Sequence, residues 1–361
     1  MLIGVECFKD SEIHSMITSR GKTGICEITH QSGVMIYDTN YDTYLEADFS
    51  EILDVYTAQS DLPHDFPKEC LALLEDILLR DWEIFNVGCT DVKTIVMEIC
   101  KDIYPNNANI FSEKVGIAKV CDSSFLQRKC LMKQFSWERF TSSIKNINRF
   151  HSNHINLGLL EEFFSSDSMQ KQYKRGELTL YRGRISDVKG YKKEEMGAPP
   201  LTLASAGRVN SAGISCLYLA NDINTTFHEI RARDLDYVSI GTFILTKDIK
   251  IVDLSNLNKI SPFASGESDF EWFAVNMNIL KKINDEIAKP LRRQDSELDY
   301  LPAQYISDFI KSLGFDGICY GSTLNEQGLN YAFFDEKKFR CEKVDVYHIK
   351  AMKFMTELYV S

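Results

Sequence analysis

Nowhere in these 361 residues does an apolar run approach the roughly 18 residues of a membrane-spanning helix, so no membrane segment is expected. The N-terminus, M-L-I-G-V-E-C-F-K-D, meets an acid and a lysine too early for a secretory leader. Basic residues are in deficit: 41 Lys and Arg against 52 Asp and Glu leave a net charge of −11. Binding along a nucleic acid needs clustered cations to neutralise phosphates, so no nucleic-acid partner is expected. A local basic pocket stays open, and that is all a pyrophosphate requires. No G-x-G-x-x-G follows a strand-like run, and no G-x-x-x-x-G-K-[S/T] occurs, which argues against a Rossmann cofactor site and a P-loop. There is no fixed-period repeat and no long low-complexity segment. The ten cysteines lack the regular spacing of a disulfide framework and read as reduced thiols, so the expected compartment is cytoplasmic.

What is present fits two domains. The length exceeds one modest core, and 44% hydrophobic with 26% charged residues is the balance of an ordinary globular protein. Residues 1–40 mix short β-like runs, Ile25–Ile28 and Gly33–Tyr37, with turn residues, and form a small subdomain. Residues 45–170 read as mainly helical. Leu71, Leu74, Ile77 and Leu78 give one apolar face over Phe66–Trp82, and Val92, Ile95, Val96 and Ile99 give another over Asp91–Ile103, broken by Pro105-Asn106-Asn107. Trp137–Phe150 and Leu157–Phe164 add two more apolar faces, with His151 and His154 at a solvated helix end. The polar stretch Ser165–Ser168, followed by Lys171–Arg175, is the expected boundary. Domains are accordingly placed at 1–170, 175–345 and a tail at 346–361.

Past the boundary the pattern turns strand-rich. Tyr237–Thr246, Ile249–Leu254, Phe333–Phe334 and Val344–Ile349 read as strands, while Asn224–Arg233, Phe273–Ala288 and Pro302–Leu313 read as helices. The segment Thr179–Ala232 carries most of the chemistry. It reads T-L-Y-R-G-R-I, then G-A-P-P-L-T-L-A-S-A-G-R-V-N-S-A-G, then C-L-Y-L-A-N-D-I-N-T-T-F-H-E-I-R-A. Arg182 ends a short strand-like run, Thr179–Tyr181. Arg208 lies in a stretch rich in Gly, Ser and Ala, where backbone and ligand can approach closely. Tyr218 sits in the run Cys216–Ala220, and Glu229 follows on a helical segment that Asn221 or Asp222 can cap. Far downstream, G-F-D-G-I-C-Y-G-S-T-L-N-E-Q-G-L-N-Y-A-F-F brings Ser322 and Asn330.

This ordered set strongly resembles the RES family of NAD-consuming toxins, named for an Arg, a Glu and a Ser. The resemblance spans about residues 175–340. It implies an α+β chain in which a compact mixed α/β domain of the ADP-ribosyltransferase type follows an accessory N-terminal region of the HEPN/RES type. It also implies cleavage of the bond between nicotinamide and ribose, with NAD as substrate and no bound cofactor. Family members often carry two zinc-binding C-x-x-C pairs near the N-terminus. Here each pair is broken, by Gly4 and by Thr29, and Cys7, Cys26, His30 and His14 are poorly spaced, so no metal is expected.

Each residue type suits that reaction. Departure of neutral nicotinamide leaves positive charge on the ribose, which a carboxylate stabilises, so Glu229 either faces that charge or grips the ribose hydroxyls. Arg182 and Arg208 offer planar, permanently charged forks to phosphate or ribose. Tyr218 offers an aromatic face and a hydroxyl. Ser322 hydrogen-bonds the ribose, and Asn330 helps order its loop. The expected catalytic set is Glu229, Arg208 and Ser322, with Arg182, Tyr218 and Asn330 binding NAD; His228, one residue from Glu229, points elsewhere and is structural. The leading expectation is an NAD-degrading toxin or defence effector, held off by an antitoxin or trigger protein. A protein ADP-ribosyltransferase and a catalytically idle partner-binding module are the alternatives.

Overall fold

A computed structural model of the chain describes residues 1–351, apart from residues 87, 89, 90, 106, 107, 135, 265–268, 290–295 and 326 and the side chain of Asn258. The backbone forms two compact units that do not follow chain order. One comprises Met1–Trp137, Asn153–Asn156 and Lys259–Leu280; the other comprises Glu138–Ser152, Leu157–Asn258 and Lys281 onward. The expected boundary at residues 165–175 therefore falls inside the second unit. The Asn106–Asn107 break and the tail beyond residue 351 lie outside the described residues.

In the first unit, β1 (Leu2–Gly4), β2 (Thr23–Ile25) and β3 (Ser32–Asp38) form an antiparallel sheet in the order β1-β3-β2. Helix α1 (Ser11–Thr18) starts at Asp10, whose carboxylate accepts hydrogen bonds from the Glu12 and Ile13 amides. The stretch expected to be mainly helical is mixed instead. Short helices α2 (Glu46–Asp54), α3 (Leu74–Arg80), α4 (Val92–Ile99) and α5 (Ser123–Lys129) accompany a second small sheet of β4 (Thr57–Ala58), β5 (Ala72–Leu73) and β6 (Lys114–Gly116). The helix expected over Phe66–Trp82 is confined to α3. Residues before it turn through Pro63 and Pro67 and then pair Ala72 with Val115, a partner that helical periodicity cannot reveal. Phe66 packs over Gly116, where an added Cβ would come within 2.7 Å of its ring.

The second unit is built on an eight-stranded mixed sheet. Its strands are β7 (Gln170–Tyr173), β8 (Thr179–Ser186), β9 (Leu217–Ala220), β10 (Tyr237–Leu245), β11 (Ile249–Asp253), β12 (Gly317–Gly321), β13 (Leu329–Phe333) and β14 (Phe339–His348). They run in the order β14-β10-β8-β9-β13-β12-β11-β7, antiparallel except for β11 beside β12. Helices α6 (Trp137–Asn146), α7 (Leu157–Phe164), α8 (Ile223–Glu229), α9 (Phe270–Ala288) and α10 (Leu301–Ser312) complete the elements, with α9 belonging to the first unit up to Leu280 and to the second from Lys281. From Glu138 onward α6 belongs here: Phe140 meets Tyr305 of α10 edge-on at 5.4 Å, and Lys145 pairs with Asp299 at 2.8 Å.

Alternation along the strands separates two faces. Leu217, Leu219, Tyr331 and Phe333 join Leu180, Phe243, Ile251 and Phe339 in the larger core. On the opposite face, Val238 and Ile240 form a smaller cluster with Phe227 and Ile230, which brings in α8. Gly183 permits that approach, since a Cβ there would lie 3.2 Å from Ile230 and 3.3 Å from Thr226. The strand expected to end at Arg182 runs on to Ser186, because β10 pairs with it from Tyr237↔Ser186 to Ile244↔Thr179. The tail expected from residue 346 begins later, with β14 continuing to His348.

Candidate active site

Local sequence places the carboxylate. Asp222 caps α8, its side chain accepting from the Thr225 amide at 3.0 Å, while Asn221 instead ties down β13 by accepting from the Leu329 amide at 2.8 Å. The helix runs only to Glu229, its last residue. A carboxylate at a helix C-terminus opposes the negative end of the macrodipole, so its place there needs a local reason. Two donors supply one: Ser322 Oγ at 2.8 Å and Asn330 Nδ2 at 2.7 Å both bond Glu229 Oε1. Asn330 is buried on β13, and Ser322 follows β12, its amide bonded to the Gly328 carbonyl at 2.8 Å. Three residues separated by up to 101 positions thus meet at one oxygen. Glu229 is itself exposed, at the rim of a cavity of about 320 Å³.

The cavity opens where the sheet parts. Strands β8 and β9 share a single bridge, Tyr181↔Ala220, and Arg182 lies just beyond it. Arg182 Nη1 is buried without a hydrogen-bond partner. Burial, with Arg184 nearby, pushes the guanidinium pKa down to about 10, so it still carries its charge at neutral pH. A buried guanidinium nitrogen without a hydrogen bond is costly, and a ligand anion is one group that would satisfy it.

Arg208 comes from the turn after the 3-10 segment Leu201–Leu203 and donates through Nη1 to the Ala288 carbonyl at 2.9 Å, at the end of α9. That end carries partial negative charge, which an arginine complements. Gly207 is required beside it, since a Cβ would sit 2.6 Å from Asn210 Oδ1 and 2.7 Å from the Tyr218 hydroxyl.

Arg182, Arg208, Tyr218, Glu229 and Asn330 all line the cavity, and Ser322 reaches it through Glu229. The Tyr218 hydroxyl is engaged within the protein: it donates to Asn210 Oδ1 at 2.7 Å and accepts from the Val209 amide at 3.3 Å. Burial raises its pKa well above the ordinary phenol value, so it stays a neutral donor and only its ring is available to the cavity. Sequence reading missed Tyr181, Thr226, Tyr300 and Tyr320 on the wall. Tyr181 and Tyr320 lay one and two positions from residues already singled out; Tyr300 carried no signal. His228 is exposed on α8.

Near the N-terminus, the ligand-type atoms that converge are those of Glu6, Cys7 and Cys26, within 4.8 Å of one another. His14 is not among them: its Nε2 lies 2.6 Å from the Phe8 carbonyl oxygen, and His30 occupies a left-handed turn with φ 59°.

One cavity of this mixed α/β unit thus holds an arginine whose Nη1 lacks a hydrogen bond, an oriented carboxylate and aromatic walls. Residues 180–354 match the family model of the RES domain. Among solved structures, the chain is similar to one of the M. tuberculosis MbcT-MbcA toxin-antitoxin complex, at 14% identity over 53% of this chain and 91% of that one, with a TM-score of 0.31. No curated protein matches the chain. Among the described residues, no helix is long and apolar enough to cross a membrane.

Proposed function

We propose that this chain is an NAD-degrading toxin or defence effector that breaks the bond between nicotinamide and ribose. The observation that carries the reading is the pairing, in one cavity, of an arginine whose buried Nη1 lacks a hydrogen bond with a carboxylate oriented by Ser322 and Asn330. NAD brings both complements: a pyrophosphate for the arginine, and a ribose that turns positive as nicotinamide leaves with the bonding electrons. In this reading Arg182 and Arg208 hold the pyrophosphate and aromatic rings flank the bases. Glu229 has one oxygen occupied by its two donors, so the other is the one that meets the ribose. A water or phosphate oxygen then bonds the ribose carbon and gives up its proton to solvent. The RES match supports this assignment through the activity that the family resemblance implies. An antitoxin or trigger protein that restrains the activity is part of the same proposal, as is action in the cytoplasm.

The exposure of Glu229 favours one second reading, transfer of ADP-ribose to a protein, because a side chain of another molecule can reach a ribose bound at the rim. One experiment separates the readings. Purified chain is incubated with NAD, with and without a protein extract, and nicotinamide and protein-linked ADP-ribose are both measured. Nicotinamide released without extract, and no labelled protein with it, is the expected result. Labelled protein would favour the transferase. No nicotinamide in either arm, from chain folded by circular dichroism, would overturn both in favour of a binding module.

A further inference from the structure

The turn that presents Arg208 is held by a residue 96 positions away that takes no part in lining the cavity. Gln304 is buried on α10 at 5% exposure, and its three side-chain hydrogen bonds among the described residues go to this turn. Its Nε2 donates to the Gly207 carbonyl at 2.7 Å and the Asn210 carbonyl at 3.0 Å, and its Oε1 accepts from Ser211 Oγ at 3.3 Å. These atoms bracket Arg208 on both sides. The turn is otherwise held by its own Gly207 amide, which donates to the Asn210 carbonyl at 2.9 Å, by Asn210 Nδ2, which reaches the Ser205 and Ile214 carbonyls at 3.0 and 2.8 Å, and by the Tyr218 hydroxyl, which accepts from the Val209 amide and donates to Asn210 Oδ1. A buried amide is costly unless satisfied, and here every partner belongs to a single loop. An apolar residue would fill the same space on α10 without that cost. The turn itself lies outside the strands and helices, so side-chain bonds from neighbouring elements are what fix its backbone.

We infer that Gln304 is a positioning residue for Arg208, and through it a determinant of affinity for a ligand carrying a pyrophosphate. The inference rests on the reading of the cavity as an NAD site. Glu229, Ser322 and Asn330 stand on other elements, so loosening the turn weakens ligand capture and leaves the bond-breaking step of the filled site nearly untouched.

The test is a double-mutant cycle on the full chain in a Glu229→Gln background, with NAD binding read by calorimetry. Gln304→Leu should bind NAD about tenfold more weakly, the loss expected when hydrogen bonds holding one contact are removed. In the Arg208→Ala chain the same Gln304→Leu change should cost less than twofold, because the residue it positions is gone. A general structural role would instead weaken binding equally with and without Arg208. With Glu229 restored, Gln304→Leu should raise KM about tenfold and move kcat less than twofold. Equal losses in the two arms of the cycle, or unchanged affinity in a folded Gln304→Leu chain, would overturn the inference alone. Failure of the Glu229→Gln chain itself to bind NAD would overturn the site reading, and the inference with it. Should Gln304→Leu fail to fold, Gln304→Glu replaces it: a carboxylate facing the same two carbonyls must give the same Arg208-dependent loss.

Discussion

At the rim of the cavity Glu229 is held by Ser322 and Asn330, whereas Arg182 on the wall has no partner at its buried Nη1. The two charges are prepared for a ligand in different ways. The carboxylate is exposed, so solvent stabilises its charge, and its two donors serve to aim it. The guanidinium is buried and lowered in pKa to about 10, so the protein bears the cost of its charge until an anion arrives. Aiming favours the step in which charge develops; an unpaired charge favours capture.

Four substitutions probe that contrast, beginning with the largest expected effect. Glu229→Gln keeps the shape and both donors' neighbour but removes the charge, and should lower the rate of NAD consumption ~100-fold or more. Turnover within a few-fold of the parent chain would remove Glu229 from the mechanism. Arg182→Met should weaken NAD binding by about 10- to 100-fold, the scale of a hydrogen bond to a charged group. The same change should raise the melting temperature, because an unpaired buried charge is exchanged for apolar volume. Opposite signs in calorimetry and thermal unfolding are the signature; a lower melting temperature would mean that Arg182 is already stabilised within the protein. Arg208→Lys should lose about fivefold in affinity, since a point ammonium cannot keep the Ala288 carbonyl and hold phosphate as a fork does. Unchanged affinity there would place Arg208 outside the binding set. Ser322→Ala removes one neutral hydrogen bond while Asn330 still aims the carboxylate, so the rate should fall only about 2- to 13-fold. A loss as large as that of Glu229→Gln would make Ser322 an equal partner and erase the distinction between aiming and charge.

Legibility in the sequence differed between the two units for a physical reason. In the second unit β10, β11 and α10 fall within a few residues of where periodicity places them, because long amphipathic or β-branched runs bury one face each. The first unit relies on strands of two or three residues, such as β4 and β5, too short to show a period. Helices α6 and α7 were found, but their membership of the second unit was not, since an apolar face does not name what covers it. At the site, all six expected residues converge, yet the Tyr218 hydroxyl turned out to be engaged by the Arg208 turn.

The sequence by itself determined what is local or excluded: a helical segment bearing Glu229 that Asn221 or Asp222 caps, a stretch rich in Gly, Ser and Ala around Arg208, and no Rossmann or P-loop motif. Only the tertiary structure decided which polar atoms are engaged and which are left over. Ser322 and Asn330 reach Glu229 across 93 and 101 residues, Gln304 reaches Gly207 across 97, and Arg182 Nη1 is left without a hydrogen bond. A hydrogen bond is a matter of a few tenths of an ångström between groups brought together by the sheet, and no one-dimensional spacing encodes that distance.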